Sequence, residues 1–180
     1  VGKICVTENV TDYFEYLMEM SSRNLANVLI EGLPARINTL TAYLKDDYYA
    51  LLPLYNFYFT RDAAVSIGSR ALICKMASKV RMRESLITEA IFKNPNFFDC
   101  EVINAHDFQP GNEEIFMEGG DILIAREDIL IVGNGMRTSS NGIDLLVNRL
   151  CKTEGPEKRH VIVQQLPDSP ESFIHLDMVF

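Results

Sequence analysis

Two stretches of the chain, FTRDAAVSIGSRALICKM (59–76) and MEGGDILIAREDILIVG (117–133), share one organisation. In each, a short acidic motif precedes an apolar segment, a polar turn and a second apolar segment. Short apolar segments separated by turn residues are typical of β-strands joined in a hairpin. Both stretches therefore predict a pair of short strands that begins directly after an aspartate.

The residues that follow each hairpin also correspond. An arginine-bearing helix start comes next in both copies, at VRMRESLITEAIF (80–92) and MRTSSNGIDLLVNRL (136–150). A further strand-like segment follows each helix, FDCEVIN (98–104) in the first copy and HVIVQQL (160–166) in the second. The chain thus repeats a strand–strand–helix–strand unit at an interval of about 60 residues.

Such a repeat predicts an α/β fold in which each copy contributes one sheet and covers it with one helix. Two copies cannot close a ring, and their sheets would keep open edges. We therefore expect residues 53–180 to be an arc of a larger assembly. The last residues, HLDMVF (175–180), look like the start of a third unit that is cut short.

Residues 1–52 differ in texture, and we expect them to form one helical unit. Apolar residues recur there at helical spacing. The predicted helices are TDYFEYLMEM (11–20), SSRNLANVLIEGL (21–33) and a weaker one from Ile37 to Tyr49.

Capping residues mark the limits of the first two predicted helices. Asp12 is expected to cap the start of the first helix, and Ser21 or Ser22 the start of the second. Gly32 is expected to end the second helix, because glycine adopts the backbone conformation that commonly follows a helix.

Composition limits the partners that this chain can have. The formal charge of −8 and the pI near 4.9 argue against a phosphate-binding surface, so nucleic acid is not expected as a partner. No apolar stretch approaches the roughly 20 residues of a membrane span, and no signal segment opens the chain. No membrane partner and a cytoplasmic location are expected, and a homo-oligomer is left open.

The four cysteines, Cys5, Cys74, Cys100 and Cys151, are scattered. Their spacing suggests neither a zinc site nor a disulfide scaffold. Cys74 and Cys100 lie in apolar, strand-like segments, where a buried structural thiol is the ordinary interpretation. None of the four is a convincing nucleophile.

Three motifs with acidic residues recur at predicted strand ends. NFYFTRD ends in Asp62, MEGGD contains Glu118 and Asp121, and FIHLDMVF contains His175 and Asp177. In a strand, His175 and Asp177 would lie on the same side, because side chains alternate. The two glycines of EGGD would let a ligand or another part of the chain approach closely.

Each of these residues also has an ordinary structural interpretation. Asp121 fits a turn residue that accepts backbone hydrogen bonds at its hairpin. A histidine between apolar neighbours, such as His175, is usually a satisfied core group. Arg81 and Arg137 would normally be solvated, although the helix dipole disfavours a cation near a helix start.

The ordinary interpretations weaken because all the motifs occupy equivalent points of the repeated unit. Side chains at such points should converge near one axis. Several carboxylates, one histidine and two arginines would suit a zwitterionic ligand. Carboxylates bind a guanidinium in a forked geometry, and arginines bind a carboxylate in the same way.

Read in order, NFYFTRD, EGGD, GMRTS and HLDMVF resemble the arginine deiminase family of guanidino-group-modifying enzymes, and the resemblance covers essentially the whole chain. A helical insertion before FTRD favours arginine deiminase over the related dimethylarginine hydrolases, amidinotransferases and agmatine deiminases. The resemblance implies a fivefold pseudosymmetric α/β propeller with the active site on its central axis. The chain would be a central fragment of it.

The resemblance also implies roles for the residues of the motifs. Asp62 and Asp177 resemble the carboxylates that grip the substrate guanidinium. His175 resembles the general acid and base, and Glu118 the carboxylate that orients and charges that histidine.

The remaining resemblances concern substrate binding. Arg81 and Arg137 resemble the clamps on the substrate carboxylate, with Arg83 as an alternative to Arg81. Asn56 and Phe59 resemble residues that line the pocket ahead of the first aspartate.

The implied reaction converts L-arginine to L-citrulline and ammonia without a metal or an organic cofactor. A cysteine thiolate attacks the guanidinium carbon, His175 protonates the leaving ammonia, and His175 then activates water. The family's cysteine lies well after the HLD motif, and these 180 residues contain no counterpart, since Cys151 is in the wrong place.

The isolated chain is therefore expected to bind arginine poorly and not to turn it over. Two alternatives stay open. The chain could belong to another guanidino hydrolase or amidinotransferase of the same superfamily, or to a degenerate member that binds without catalysis.

Overall fold

The structure, a computed structural model, describes residues 1–44, 48–108, 115–151 and 160–180. Helices and strands alternate along most of the chain, and the strands form three small sheets among the described residues. The fold is therefore of the α/β class, as the repeat predicts. None of the described helices combines the length and the apolar character needed to cross a lipid bilayer.

Residues 1–52 form a layer of short helices with one small sheet. Its elements are α1 (Gly2–Thr7), α2 (Phe14–Met18), α3 (Ser22–Glu31), β1 (Leu33–Pro34), α4 (Leu40–Leu44) and β2 (Tyr49–Leu51). The strands β1 and β2 pair in antiparallel fashion. Buried side chains that include Cys5, Leu17 and Leu51 give this layer a small hydrophobic cluster of its own.

The capping predictions have different outcomes. Ser21 precedes α3 and accepts a hydrogen bond from the N–H of Asn24 (3.3 Å), and Gly32 follows the helix with φ of +94°, so both predicted limits are confirmed. Asp12 does not cap α2, because the segment opens with a 3-10 turn at Thr11–Tyr13 and Asp12 lies inside that turn.

The third predicted helix, from Ile37 to Tyr49, is wrong at its end. The described helix α4 has five residues, and Tyr49 begins the strand β2. Residues 45–47 lie outside the described part of the chain. The strand forms because Leu51 is fully buried opposite Leu33, and because aromatic side chains fit a half-buried sheet surface well.

The first copy of the repeat forms a three-stranded sheet and one long helix. Its elements are α5 (Thr60–Ala63), β3 (Ala64–Ile67), β4 (Arg70–Ile73), α6 (Met82–Phe92) and β5 (Glu101–Asn104). The strands β3 and β4 form an antiparallel hairpin, and β5 pairs parallel with β4. A parallel return needs a crossover connection, which α6 provides.

The second copy has the same arrangement. Its elements are β6 (Ile122–Arg126), β7 (Ile129–Asn134), α7 (Ser140–Cys151) and β8 (His160–Gln165). Again the first two strands pair antiparallel and the third pairs parallel with the second. The predicted strand–strand–helix–strand repeat is confirmed.

One hydrophobic core joins the two copies. Leu72 of the first sheet and Val132 of the second belong to the same cluster of buried side chains, together with Met117. The N–H of Met117 donates to the carbonyl of Lys75 (2.9 Å), which forms an isolated bridge between the copies. This bridge fixes the chain beside the first sheet just before it enters EGGD.

The helix α6 connects the first sheet to the N-terminal layer through polar contacts. The carboxylate of Glu89 accepts from Lys3 at 3.0 Å. The buried guanidinium of Arg83 lies 3.6 Å from Glu8 and donates to the carbonyl of Leu52. The N-terminal layer is thus attached to the same helix that provides the first crossover.

Replacing Leu72 with alanine tests the shared core. Its side chain is fully buried in the middle strand of the first sheet, so the free energy of unfolding should fall by about 2–5 kcal/mol. Val163→Ala in β8, where the side chain is 53% exposed, is the control and should change it by about 0.5 kcal/mol or less. Urea unfolding measures both; equal losses would contradict the shared core.

Candidate active site

Three buried polar side chains from separate segments meet at one place. Asp62 lies in α5, directly ahead of the first sheet, and Glu118 precedes a 3-10 turn (Gly119–Asp121) ahead of the second sheet. His175 precedes another 3-10 turn (Leu176–Met178). Ligand atoms of these three side chains lie within 4.8 Å of one another. The convergence predicted from the repeat is confirmed for this trio.

The two glycines of EGGD permit the close approach. A Cβ atom on Gly119 would lie 2.0 Å from the carbonyl oxygen of Arg61, and one on Gly120 would lie 2.9 Å from the ring of His175. Separations this short are not available to real side chains. Any other residue at these two positions would push neighbouring segments apart, so glycine is required by space rather than by flexibility.

Charge favours a protonated histidine next to an ionised glutamate. Nε2 of His175 lies 2.9 Å from Oε2 of Glu118, and Nδ1 lies 3.7 Å from Oδ1 of Asp62. Burial alone would lower the pKa of His175, but the hydrogen bond with Glu118 and the charges of Asp62 and Asp121 raise it. Burial would raise the pKa of Glu118, but the bond with His175 and the charge of Arg137 hold it below its ordinary value.

Other contacts fix the Glu118 side chain and backbone. The N–H of Ala77 donates to Oε1 of Glu118 at 3.1 Å, and Nη1 of Arg137 lies 3.6 Å from the same oxygen. The N–H of Glu118 donates to the hydroxyl of Thr138 (3.2 Å). Arg137 is partly exposed, so its guanidinium stands between the buried carboxylate and solvent.

Arg81 binds two carboxylates at once. Its Nη1 donates to Oδ2 of Asp62 (2.7 Å), while Nε and Nη2 donate to Glu84 (3.0 and 2.8 Å). The same Nη1 lies 3.7 Å from Glu118. Burial would lower the pKa of Arg81, but Glu84 and Asp62 outweigh it and raise that pKa. The carboxylates of this site therefore already bind a guanidinium, that of the protein's own arginine.

The structure separates Arg81 from Arg83. Arg81 points to Asp62, whereas Arg83 is buried against Glu8 and the carbonyl of Leu52 in the N-terminal layer. Burial lowers the pKa of Arg83, although the charge of Glu8 counteracts it. Side chains two positions apart at a helix start point in different directions. The spacing alone therefore did not decide which of the two arginines faces Asp62.

The strand predicted for the HLD motif is wrong. His175 has an extended backbone, but Leu176–Met178 form a 3-10 turn. Strand geometry needs a neighbouring strand, and here the N–H of Leu176 donates to the carboxylate of Asp121 (2.9 Å) instead. Asp177 consequently lies nearer the surface, 3.5 Å from Arg61.

Asn56 and Phe59 lie on the exposed side of the site. Asn56 is exposed, and its carbonyl is 3.4 Å from Nη2 of Arg81. Phe59 directly precedes α5, is half exposed, and packs its ring 4.1 Å from that of Tyr58. Both residues therefore adjoin the groups that hold the guanidinium of Arg81.

Sequence reasoning missed two buried acids of this site. Glu84 lies one helical turn after Arg81, and its spacing of three residues was the available signal. Asp121, interpreted as a turn residue of its own hairpin, bonds to Leu176, 55 residues away. Burial raises the pKa of Asp121 to about 6, although the Thr138 side chain and the hydrogen bond from Leu176 counteract it.

The arrangement suits an organic cation. Asp62, Glu118 and His175 together could hold a positively charged ligand or metal ion. Arg81 already places Nη1 between the two carboxylates, 2.7 Å from one and 3.7 Å from the other. A planar guanidinium with several N–H donors matches such carboxylates in direction as well as in charge. A histidine that can donate and accept a proton stands next to it.

The sequence profile of the arginine deiminase family matches residues 8–180 of the chain. The arginine deiminase of Listeria innocua serovar 6a is 36% identical over 175 residues, which are 92% of this chain and 41% of that protein. The chain thus spans about two fifths of the length of this relative.

Solved structures of guanidino-modifying enzymes have the same fold. The N-terminal domain of a cyanobacterial arginine dihydrolase, a cysteine-to-serine mutant bound to its substrate, is 27% identical, with a TM-score of 0.52 over 68% of this chain and 39% of that one. A dimethylarginine dimethylaminohydrolase adduct with S-methyl-L-thiocitrulline is 20% identical, with a TM-score of 0.51 over 78% of this chain and 58% of that one.

Replacing Glu118 with glutamine tests the charge balance at His175. The raised pKa means that the folded state holds this proton more tightly than the unfolded state does. The resulting stability is present below pH about 6.5 and is lost as pH rises through the folded-state pKa. Glu118→Gln should lower the pKa of His175 by about one pH unit or more, measured by NMR titration of the histidine rings.

His106 is the internal control for this titration. Burial lowers its pKa, and Glu118 is not among the charges that act on it. Its titration should be the same in both proteins. A pKa of His175 that does not change on Glu118→Gln would contradict the charge balance described above.

Proposed function

The chain belongs to the arginine deiminase family, and we propose on that basis that it supplies the acid–base and guanidinium-binding part of a site that hydrolyses L-arginine to L-citrulline and ammonia. The observation that carries the proposal is the buried trio of Asp62, Glu118 and His175, with a guanidinium bound to Asp62 at 2.7 Å. Because the chain covers about two fifths of its relatives, the activity is proposed for the whole protein.

In this proposal the guanidinium and the carboxylate of the substrate each bind side chains of opposite charge. Asp62 and Asp177 receive the substrate guanidinium, which takes the place that Arg81 holds on Asp62 in the structure. Arg81 and Arg137 receive the substrate carboxylate. Glu84 supports the change, because it can retain Arg81 through Nε and Nη2 while Nη1 is released.

His175 is proposed to act as general acid and then as general base. A cysteine thiolate forms a bond to the guanidinium carbon, protonated His175 donates to the departing nitrogen, and the C–N bond breaks to release ammonia. Neutral His175 then takes one proton from water, whose oxygen adds to the same carbon. The C–S bond breaks, citrulline leaves, and the other water proton passes to ammonia as ammonium. The raised pKa of His175 supports the first step, which needs an imidazolium.

The four cysteines of this chain do not fit the nucleophile. Cys74 is buried next to Glu118 and Asp62, and burial together with these charges raises its pKa, which keeps the thiol protonated. Cys5 is buried in the N-terminal layer. Cys100 directly precedes β5 and Cys151 ends α7. We assign the nucleophile to a cysteine outside these 180 residues, so the isolated chain should be inactive.

Residues 53–180 are proposed to form two successive units of a fivefold propeller, with residues 1–52 as part of a helical insertion. Two observations support this: both sheets have the same strand order, and both begin beside the acidic cluster. Asn56 and Phe59 are proposed to line the pocket, since the carbonyl of Asn56 lies 3.4 Å from Nη2 of Arg81 and Phe59 directly precedes α5, which carries Asp62.

An assay of the whole polypeptide that contains this sequence tests the function. It should release citrulline and ammonia from L-arginine, and His175→Asn should lower kcat by about 10²–10⁴-fold through loss of the general acid and base. His160→Asn, an exposed position on β8, is the matched control and should leave kcat within about twofold. The 180-residue chain alone should release no citrulline.

Different products in the same assay would assign a different activity to the site. Product from an N-methylated arginine, or transfer of the amidino group to an amine, would assign a related activity to the site. Arginine binding without turnover by the whole polypeptide would indicate a non-catalytic member. Turnover by the isolated chain would overturn the assignment of the nucleophile.

A further inference from the structure

Asp121 takes part in no step of the proposed reaction, yet its carboxylate contacts the segment that carries His175. We propose that Asp121 is a positioning residue, which holds the His175 ring against Glu118 by accepting a hydrogen bond from the N–H of Leu176. This inference rests on the proposed function only for the chemistry of His175.

The contact is built into the interior of the protein. Oδ1 of Asp121 lies 2.9 Å from the backbone nitrogen of Leu176, and both residues are buried. A Cβ atom on Gly133 would lie 2.8 Å from that same oxygen, so the glycine of β7 makes room for the carboxylate. A carboxylate that is out of contact with water needs hydrogen bonds to replace hydration, and the Leu176 N–H supplies one.

Apart from the ion pair between Asp177 and Arg61, the segment around His175 otherwise bonds mainly to itself. The N–H of Met178 donates to the carbonyl of His175, and those of Val179 and Phe180 donate to the carbonyl of Leu176. These bonds close the turn but do not attach it to the sheets. The Leu176 N–H does, because its acceptor belongs to the turn that begins the second sheet.

Glu118 precedes a single 3-10 turn and Asp121 ends it, and the two acids hold His175 at two points. The N–H of Asp121 donates to the carbonyl of Glu118 (3.1 Å), which closes that turn. Glu118 binds the ring of His175, and Asp121 binds the peptide N–H that directly follows it. The hydroxyl of Thr138 accepts from the N–H of Glu118, which fixes the backbone where this turn begins.

Two contacts from one rigid turn set both the place and the direction of the imidazole. With Glu118 alone, the ring could follow any movement of its own backbone. The bond at Leu176 removes that freedom, so the ring and the carboxylate keep one separation. A general acid needs such fixed geometry, since small displacements of a reacting group have large effects on rate.

Two variants of Asp121 separate positioning from charge. Asp121→Asn removes the charge and keeps an oxygen acceptor for Leu176, whereas Asp121→Ala removes both. Because both variants are uncharged at position 121, a difference between them reports the hydrogen bond to the Leu176 N–H and not the charge. The chain has three histidines, so the ring of His175 can be followed by NMR beside His106 and His160.

The coupling between His175 and Glu118 is the quantity to measure. In the Asp121→Asn protein, adding Glu118→Gln should still lower the pKa of His175 by about one pH unit. In the Asp121→Ala protein the same addition should lower it by about 0.3 pH units or less, because ring and carboxylate are no longer held together. An equal decrease in both proteins would overturn the inference, since a merely stabilising aspartate would leave this coupling unchanged.

Asp128→Asn is the matched control. Its carboxylate lies on the same hairpin, at the far end, paired with Arg126 on the surface. This variant should leave the coupling unchanged. Should Asp121→Ala fail to fold, Asp121→Ser serves the same comparison, because its shorter side chain is polar but does not reach Leu176.

Kinetics of the whole polypeptide separate this inference from the proposed function. Asp121→Ala should lower kcat about tenfold or more with little change in KM, and Asp121→Asn should recover most of that loss. No arginine hydrolysis by the unaltered polypeptide would defeat the proposed function and leave the NMR result standing. An active polypeptide whose kcat is unaffected by Asp121→Ala would defeat the inference alone.

Discussion

The carboxylate of Glu118 has no exposed surface, and an ionised group in such a place costs several kcal/mol unless partners replace its hydration. His175, Ala77 and Arg137 supply those partners from three different segments. The need to satisfy one buried charge thus requires three segments to occupy fixed places relative to one another. Both the site and the relative positions of these segments therefore follow from the same requirement.

The repeat places the acids where this can happen. Asp62 and Glu118 precede the first strands of two sheets of identical order, and the bridge between Lys75 and Met117 holds those sheets together. The same geometry leaves little space between the strand ends. Gly120 therefore lies against the histidine ring, and a larger residue there would push His175 and Asp62 away from the turn.

The start of α6 serves two parts of the molecule. Arg81 turns toward the carboxylates of the site and Arg83 toward Glu8 in the N-terminal layer. Breaking a buried ion pair by removing one partner is costly, so the helical layer and the site hold this helix start from opposite sides.

Local pattern was sufficient for the order of strands and helices in the two copies of the repeat, the caps of α3, the family resemblance and the kinds of residue in the site, because hydrophobic periodicity and turn residues act over a few positions. It failed where distant groups compete for the backbone. The HLD motif forms a turn because Asp121, 55 residues earlier, takes the N–H that a strand would have used. Likewise, only the packed structure distinguished Arg81 from Arg83, since the direction of each side chain depends on which carboxylate stands opposite it.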